Sequence, residues 1–176
     1  INGQVAPDGI VNALLLMPPT ASIYDEDGTY TLRNPFENIF ANPIASLKEV
    51  DNKSKTWRTL GTTFAQYKLA DGLHAKVLFG ADLNQLTEQY YLPSYIYEGS
   101  GNRGSAALGS LESFSWLNEN TLTYDKAFAR HQLNVRVGFT QQESQTSLFN
   151  AGAEGFVSDE LQANNLQSGG TLLRPN

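Results

Sequence analysis

The sequence predicts an all-β fold, with antiparallel strands forming two long hairpins of a transmembrane β-barrel joined by long extracellular loops. Three observations support this. From Leu73 to Leu83 every odd position is apolar, whereas the even positions include His74, Lys76 and Asp82. That two-residue period marks a strand with one apolar and one wet face. The period returns between His131 and Thr140, where Leu133, Val135, Val137 and Phe139 alternate with Gln132, Asn134, Arg136 and Gly138. The third observation is spacing: Trp57 and Tyr67 lie ten residues apart on one face of the preceding stretch. At ~3.3 Å per residue and a tilt near 40°, that is a rise of about 25 Å, the height between the aromatic girdles of an outer-membrane barrel.

Element by element, residues 1–54 hold five of the seven prolines and the turn signals Asp8-Gly9 and Asp27-Gly28, so they read as ordered loop, extracellular in the barrel setting, with one or two helical turns at Ile10 to Leu16. Residues 55–91 form the first hairpin. Its opening strand runs from Thr56 to Leu69, with Trp57, Thr59, Gly61, Thr63, Ala65, Tyr67 and Leu69 on one face. Asp71-Gly72 supplies the reversal, and the return strand continues toward Tyr91. Residues 92–111, rich in Gly and Ser, read as an extracellular loop. Residues 112–147 form the second hairpin, turning between Asp125 and Arg130. The facing of its first strand is ambiguous, because Trp116, Leu122 and Tyr124 share a side with Asn118 and Asn120. Residues 148–176 read as a final extracellular loop. Short turns at one end and long loops at the other are the asymmetry of bacterial outer-membrane barrels.

Composition narrows the function. A formal charge of −6 without a Lys/Arg-rich cluster argues against nucleic acid and against an anionic membrane surface. With no cysteine and two widely separated histidines, neither disulfide nor structural metal is expected, and no cofactor. No run of ~18 apolar residues exists to form a membrane helix. The longest candidate, Ile10 to Met17, ends at Pro18-Pro19. Lumen-facing residues dilute the hydropathy of barrel strands, so a polar average does not oppose a barrel. The opening Ile-Asn-Gly lacks the basic and apolar regions of a signal peptide, which suggests processing or a piece of something longer.

Several stretches carry a family resemblance. Asn12-Ala13-Leu14 precedes Met17-Pro18; Tyr24 to Tyr30 reads Tyr-Asp-Glu-Asp-Gly-Thr-Tyr; Asn42-Pro43-Ile44-Ala45 precedes the first strand. Asp71-Gly72-Leu73, Phe79-Gly80-Ala81-Asp82, Asn118 to Tyr124 and His131-Gln132-Leu133-Asn134 follow in order. The chain resembles the barrel region of SusC/RagA-type TonB-dependent outer-membrane transporters of Bacteroidetes. That resemblance implies energised uptake of oligosaccharides or peptides through a barrel of about 22 strands, without catalysis. It also implies a SusD-type surface lipoprotein as partner, and coupling to the TonB complex through a plug and TonB box not recognisable here. Four strands cannot close such a barrel. A fragment in isolation is expected to self-associate through its strand edges and apolar face.

The remaining motifs have plainer readings. Gly99-Ser100-Gly101-Asn102-Arg103-Gly104 fits a dinucleotide pattern, but that mechanism needs a helix opening directly after it, and Ser105 to Ser110 is too short and glycine-interrupted. Asp25, Glu26 and Asp27 could begin a calcium loop, yet position 12 falls on Phe36 where an EF-hand needs Glu. His74 and His131 lie at strand starts without a nucleophile motif, so no catalytic residue is expected. The substrate-binding candidates are Tyr95, Tyr97, Asn102 and Arg103, since sugar rings stack on aromatic rings and amides bond hydroxyls. An interfacial girdle with loop packing explains the same residues. The rival reading of the whole is a soluble β-sandwich that binds carbohydrate.

Overall fold

The computed structural model describes residues 10–31 and 42–173. The Asp8-Gly9 turn and Phe36 lie outside the described residues. Helix α1 spans Ile10–Leu16 and α2 Pro43–Glu49. Four long strands follow, β1 Asp51–Ala70, β2 Leu73–Leu92, β3 Ser105–Phe128 and β4 His131–Phe156, with a short helical turn α3 at Tyr97–Ser100. Two 3₁₀ turns, Gln162–Asn164 and Leu166–Ser168, lead into β5, Gly169–Leu173. The sheet order is β1-β2-β3-β4-β5, with β5 antiparallel to β4.

The strands are longer than the alternation alone marks. β1 begins at Asp51 instead of Thr56, β3 at Ser105 instead of Glu112, and β4 continues to Phe156 instead of Ser147. Residues 125–128, expected as turn, belong to β3, so the second reversal is only Ala129-Arg130. The added stretches lack period-two patterning: residues 51–55 read Asp-Asn-Lys-Ser-Lys, polar on both faces, while residues 105–111 and 148–156 are interrupted by Gly and Ala. Two elements were not expected. α2 starts where Asn42 Oδ1 accepts from the N–H groups of Ile44 and Ala45, with Pro43 in the first turn. β5 occupies part of what reads as terminal loop.

The chain forms two compact units. One comprises Thr56–Leu86 and Leu111–Leu148, the turn-proximal parts of the four long strands. Side-chain contacts sort its residues into two faces. On the even face of β1, β2 and β4, Arg58 makes a two-pronged contact with Asp82 at 2.8 and 3.0 Å, Lys76 Nζ lies 4.9 Å from the centre of the Phe64 ring, and Asn134 donates to Asp125 of β3. On the odd face, Phe79 stacks against Trp116 with ring centres 6.3 Å apart, and Ala75, Val77, Asn120, Leu122, Val137 and Phe139 line one shallow depression. Even residues of β3 therefore share the apolar face. The amides of Asn118 and Asn120 are accommodated there: Asn118 Nδ2 donates to the Leu78 carbonyl at 3.2 Å and Asn120 Nδ2 to Asn118 Oδ1 at 2.6 Å.

Every buried hydrophobic residue among those described belongs to the other unit; this sheet unit has none. Its apolar face is open, with Val77 47%, Val137 65% and Phe139 64% exposed. A soluble sandwich would bury that face under a second sheet, and the described residues form a single sheet. An apolar face of this extent belongs against lipid or protein. β1 departs from clean alternation: Leu60 and Phe64, at 67% and 64% exposure, stand on the same parity as Arg58.

The first reversal is fixed by contact as well as by φ. Gly72 adopts φ +79°, its carbonyl accepts the Asp125 N–H at 2.7 Å, and a Cβ there would overlap the Asp125 carbonyl oxygen. Only glycine fits.

Candidate functional site

The second unit comprises Ile1–Lys55, Thr87–Ser110 and Phe149–Asn176, and it holds all four sequence-predicted binding residues. Its core is Tyr91, Ala106, Ala153, Phe156 and Ala163, with Tyr91 meeting Phe156 edge-on at 5.7 Å between ring centres. Two carboxylates organise the segments around it. Glu49, the last residue of α2, accepts from the hydroxyls of Tyr30 and Tyr95, each at 2.6 Å. Hydrogen bonds from Tyr30 and then Tyr95 hold the Glu49 carboxyl below its ordinary range against partial burial. One side chain thus ties together segments 19 and 46 residues distant.

Asp159 does the same for Tyr91 and Ser94. It accepts from Tyr91 OH at 2.5 Å, Ser94 N–H at 2.9 Å and Ser94 Oγ at 2.6 Å. Burial works to raise its pKa, and the bonds from Ser94 and Tyr91 outweigh burial, so the carboxyl sits below its ordinary value. A carboxylate that accepts several bonds is stabilised in its charged form, and it in turn orders the donors.

The predicted binding residues occupy different local settings. Tyr95 is 48% exposed, with its hydroxyl committed to Glu49 and its ring still accessible. Tyr97 opens α3 and packs against Ala13 of α1. Asn102 and Arg103 are exposed and belong to a loop locked onto the end of β4: the Gly155 N–H donates to the Asn102 carbonyl at 2.9 Å and the Phe156 N–H to the Arg103 carbonyl at 2.9 Å. Asn102 Nδ2 also donates to Glu154 at 3.2 Å. Arg103 holds φ +54°, an uncommon conformation for a side-chain-bearing residue. β3 starts at Ser105, so no helix follows the glycine-rich stretch to receive a pyrophosphate.

The Asp25–Asp27 cluster is a turn. Asp27 Oδ1 accepts from the Thr29 N–H and hydroxyl, the Gly28 N–H donates to the Asp25 carbonyl, and Tyr24 bridges Tyr30 across it. Among the described residues no group of three or more metal-ligating side chains gathers. Glu49, Asp159 and Tyr30 are the organising residues that sequence reasoning missed. Their partners are too far away in the chain to leave a local signal.

No protein-family model matches this chain. It is 30% identical over 173 residues to TonB-dependent receptor P3 of Formosa agariphila, covering 98% of the chain and 17% of that protein. TonB-dependent receptor P26 of the same organism is 27% identical over 176 residues, with 95% and 17% covered. The chain therefore spans 17% of the length of these curated relatives. Among solved structures, it is similar to the RagAB peptide transporter, with a TM-score of 0.70, 22% identity, and coverage of 88% of this chain and 18% of that one. That likeness carries the fold: long antiparallel strands matching a segment of a TonB-dependent barrel.

Proposed function

This chain is a homologue of the TonB-dependent receptors, non-catalytic proteins of the bacterial outer membrane, and from that premise we propose that it forms two hairpins in the wall of a receptor that imports oligosaccharides or peptides. The observation that carries the reading is the sheet unit without a core: its odd face is apolar and open, while its even face carries the ion pair and the charged groove. In a barrel wall the first face meets lipid and the second meets the lumen.

In this reading residues 1–54, 92–111 and 148–176 lie on the extracellular side, and Tyr95, Tyr97, Asn102 and Arg103 contribute to substrate selection or to contacts with a SusD-type lipoprotein. The RagAB structure, a two-component assembly by its name, supports that kind of partner. Coupling to the TonB complex would run through other parts of the receptor.

The test is uptake. A bacterial strain deleted for the full-length receptor, supplied with labelled oligopeptides and oligosaccharides, is expected to lose accumulation of one class. Re-expression should restore it, and a protonophore should abolish the restored uptake. Accumulation of both classes at unchanged rates in the deletion strain overturns the proposal.

A further inference from the structure

Asn118 and Asn120 stand on the apolar face of the sheet unit, among Phe79, Trp116, Leu122, Val137 and Phe139. Asn120 lies midway between two aromatic residues of that face, four positions after Trp116 and four before Tyr124. The two amides bond one another and one backbone carbonyl: Asn120 Nδ2 donates to Asn118 Oδ1 at 2.6 Å, and Asn118 Nδ2 to the Leu78 carbonyl at 3.2 Å. An amide offers two N–H donors and a carbonyl with two lone pairs. Among the described residues nothing donates to Asn120 Oδ1, and each Nδ2 has used one of its two hydrogens. In hydrocarbon no water makes up the difference. Asn120 also lines the shallow depression of about 380 Å³ on this face, where it is the polar side chain among Ala75, Val77, Leu122, Val137 and Phe139.

We propose that the amide pair and the depression hold one acyl chain of an outer-leaflet glycolipid, a saturated chain whose hydroxyl bonds the amides of Asn118 and Asn120 and whose tail fills the depression. The inference rests on the reading of this face as outward. Further strands of a barrel join a sheet at its edges, and whatever fills the lumen lies behind it, so the outward face stays open to lipid. Trp116 is the end of the pair's surroundings nearer the long loops, which places it in the outer leaflet. From Trp116 to Leu122 is six residues, a descent of about 15 Å at ~3.3 Å per residue and a tilt near 40°, which equals half of a hydrocarbon core of about 30 Å. One chain of the outer leaflet therefore spans the amides and the depression together. Its hydroxyl supplies what the pair lacks, a donor for Asn120 Oδ1 and an acceptor for a spare N–H. A plain acyl chain fills the depression and leaves the amides unmet.

The test uses the purified full-length receptor in detergent, with N-(β-hydroxymyristoyl)glucosamine as the probe and N-myristoylglucosamine, which lacks only the hydroxyl, as its counterpart. Native mass spectrometry across a concentration series reads the bound fraction of each. The hydroxylated lipid is expected to bind about five-fold tighter, the size of one net hydrogen bond. Asn120→Leu should erase that preference and leave the folded band in unheated gels unchanged, whereas Ala75→Phe, which fills the depression, should weaken both lipids. Equal affinities of the two lipids for the unsubstituted receptor overturn the proposal, and so does a preference that survives Asn120→Leu. A receptor dimer that Asn120→Leu dissociates, read by light scattering, also overturns it and assigns the amides to a protein contact. Failure of the outward reading is separable: Val135→Cys in outer-membrane vesicles would then react with a water-soluble maleimide.

Discussion

Gly72→Ala is the sharpest local test of the sheet architecture. A Cβ at φ +79° costs about 1–2 kcal/mol from the left-handed conformation. The same Cβ overlaps the Asp125 carbonyl oxygen, and relieving that overlap forces apart the 2.7 Å bond from the Asp125 N–H to the Gly72 carbonyl, worth about 0.5–1.5 kcal/mol. The expected sum is about 1.5–3.5 kcal/mol. Gly28 is the control, because it has φ +84° but nothing within 4 Å of its Cβ position, so Gly28→Ala incurs only the backbone cost. Full-length receptors carrying each substitution can be refolded into detergent and titrated with urea, scoring the fast-migrating folded band in unheated gels. Gly72→Ala should shift the midpoint clearly below that of Gly28→Ala. Equal midpoints would refute the argument that the two hairpins are braced through Gly72 and Asp125.

Two further outcomes are expected. Glu49 and Asp159 both have depressed carboxyl pKa values in the folded state, so their contribution is present above the ordinary carboxylate value of about 4 and is lost as pH falls through the lower folded value; hydrogen-exchange protection of residues 91–96, corrected for intrinsic rate, should drop between about pH 5 and pH 3, and constant protection there would contradict the assignment. Arg58→Ala and Asp82→Ala combined in a double-mutant cycle should show weak coupling that diminishes further in high salt, because the Arg58 side chain is 61% exposed; coupling insensitive to salt would mean that the pair is shielded from water.

The hairpins were legible because lipid on one side and water on the other force strict alternation, as at Leu73 to Leu83 and Leu133 to Phe139. At the start of β1, Asp51 to Lys55, both faces are polar, that demand disappears, and the strand extends without a pattern to announce it. The facing of β3 became clear only from the Phe79–Trp116 stack and the Asn118 bond to the Leu78 carbonyl. α2 left a readable signal in Asn42-Pro43, a capping residue before a first-turn proline. The cluster around Glu49 and Asp159 left none, since Tyr91 and Asp159 stand 68 residues apart. The glycine-rich stretch was correctly read as lacking the helix that phosphate binding requires, while its docking onto Gly155 and Phe156 arises from tertiary pairing alone.

The central claim is that odd residues of β2 face lipid and even residues face the lumen, and the comparison of Val77→Arg with Lys76→Ala in the intact receptor tests it most directly. An arginine on the lipid face near the midplane costs about 2–4 kcal/mol, whereas trimming a lumenal lysine leaves assembly intact. Heat-modifiable gel mobility of outer-membrane fractions reads the assembled barrel. The account predicts that Val77→Arg sharply reduces the folded band and that Lys76→Ala does not; equal assembly of the two variants, or greater loss with Lys76→Ala, would contradict it.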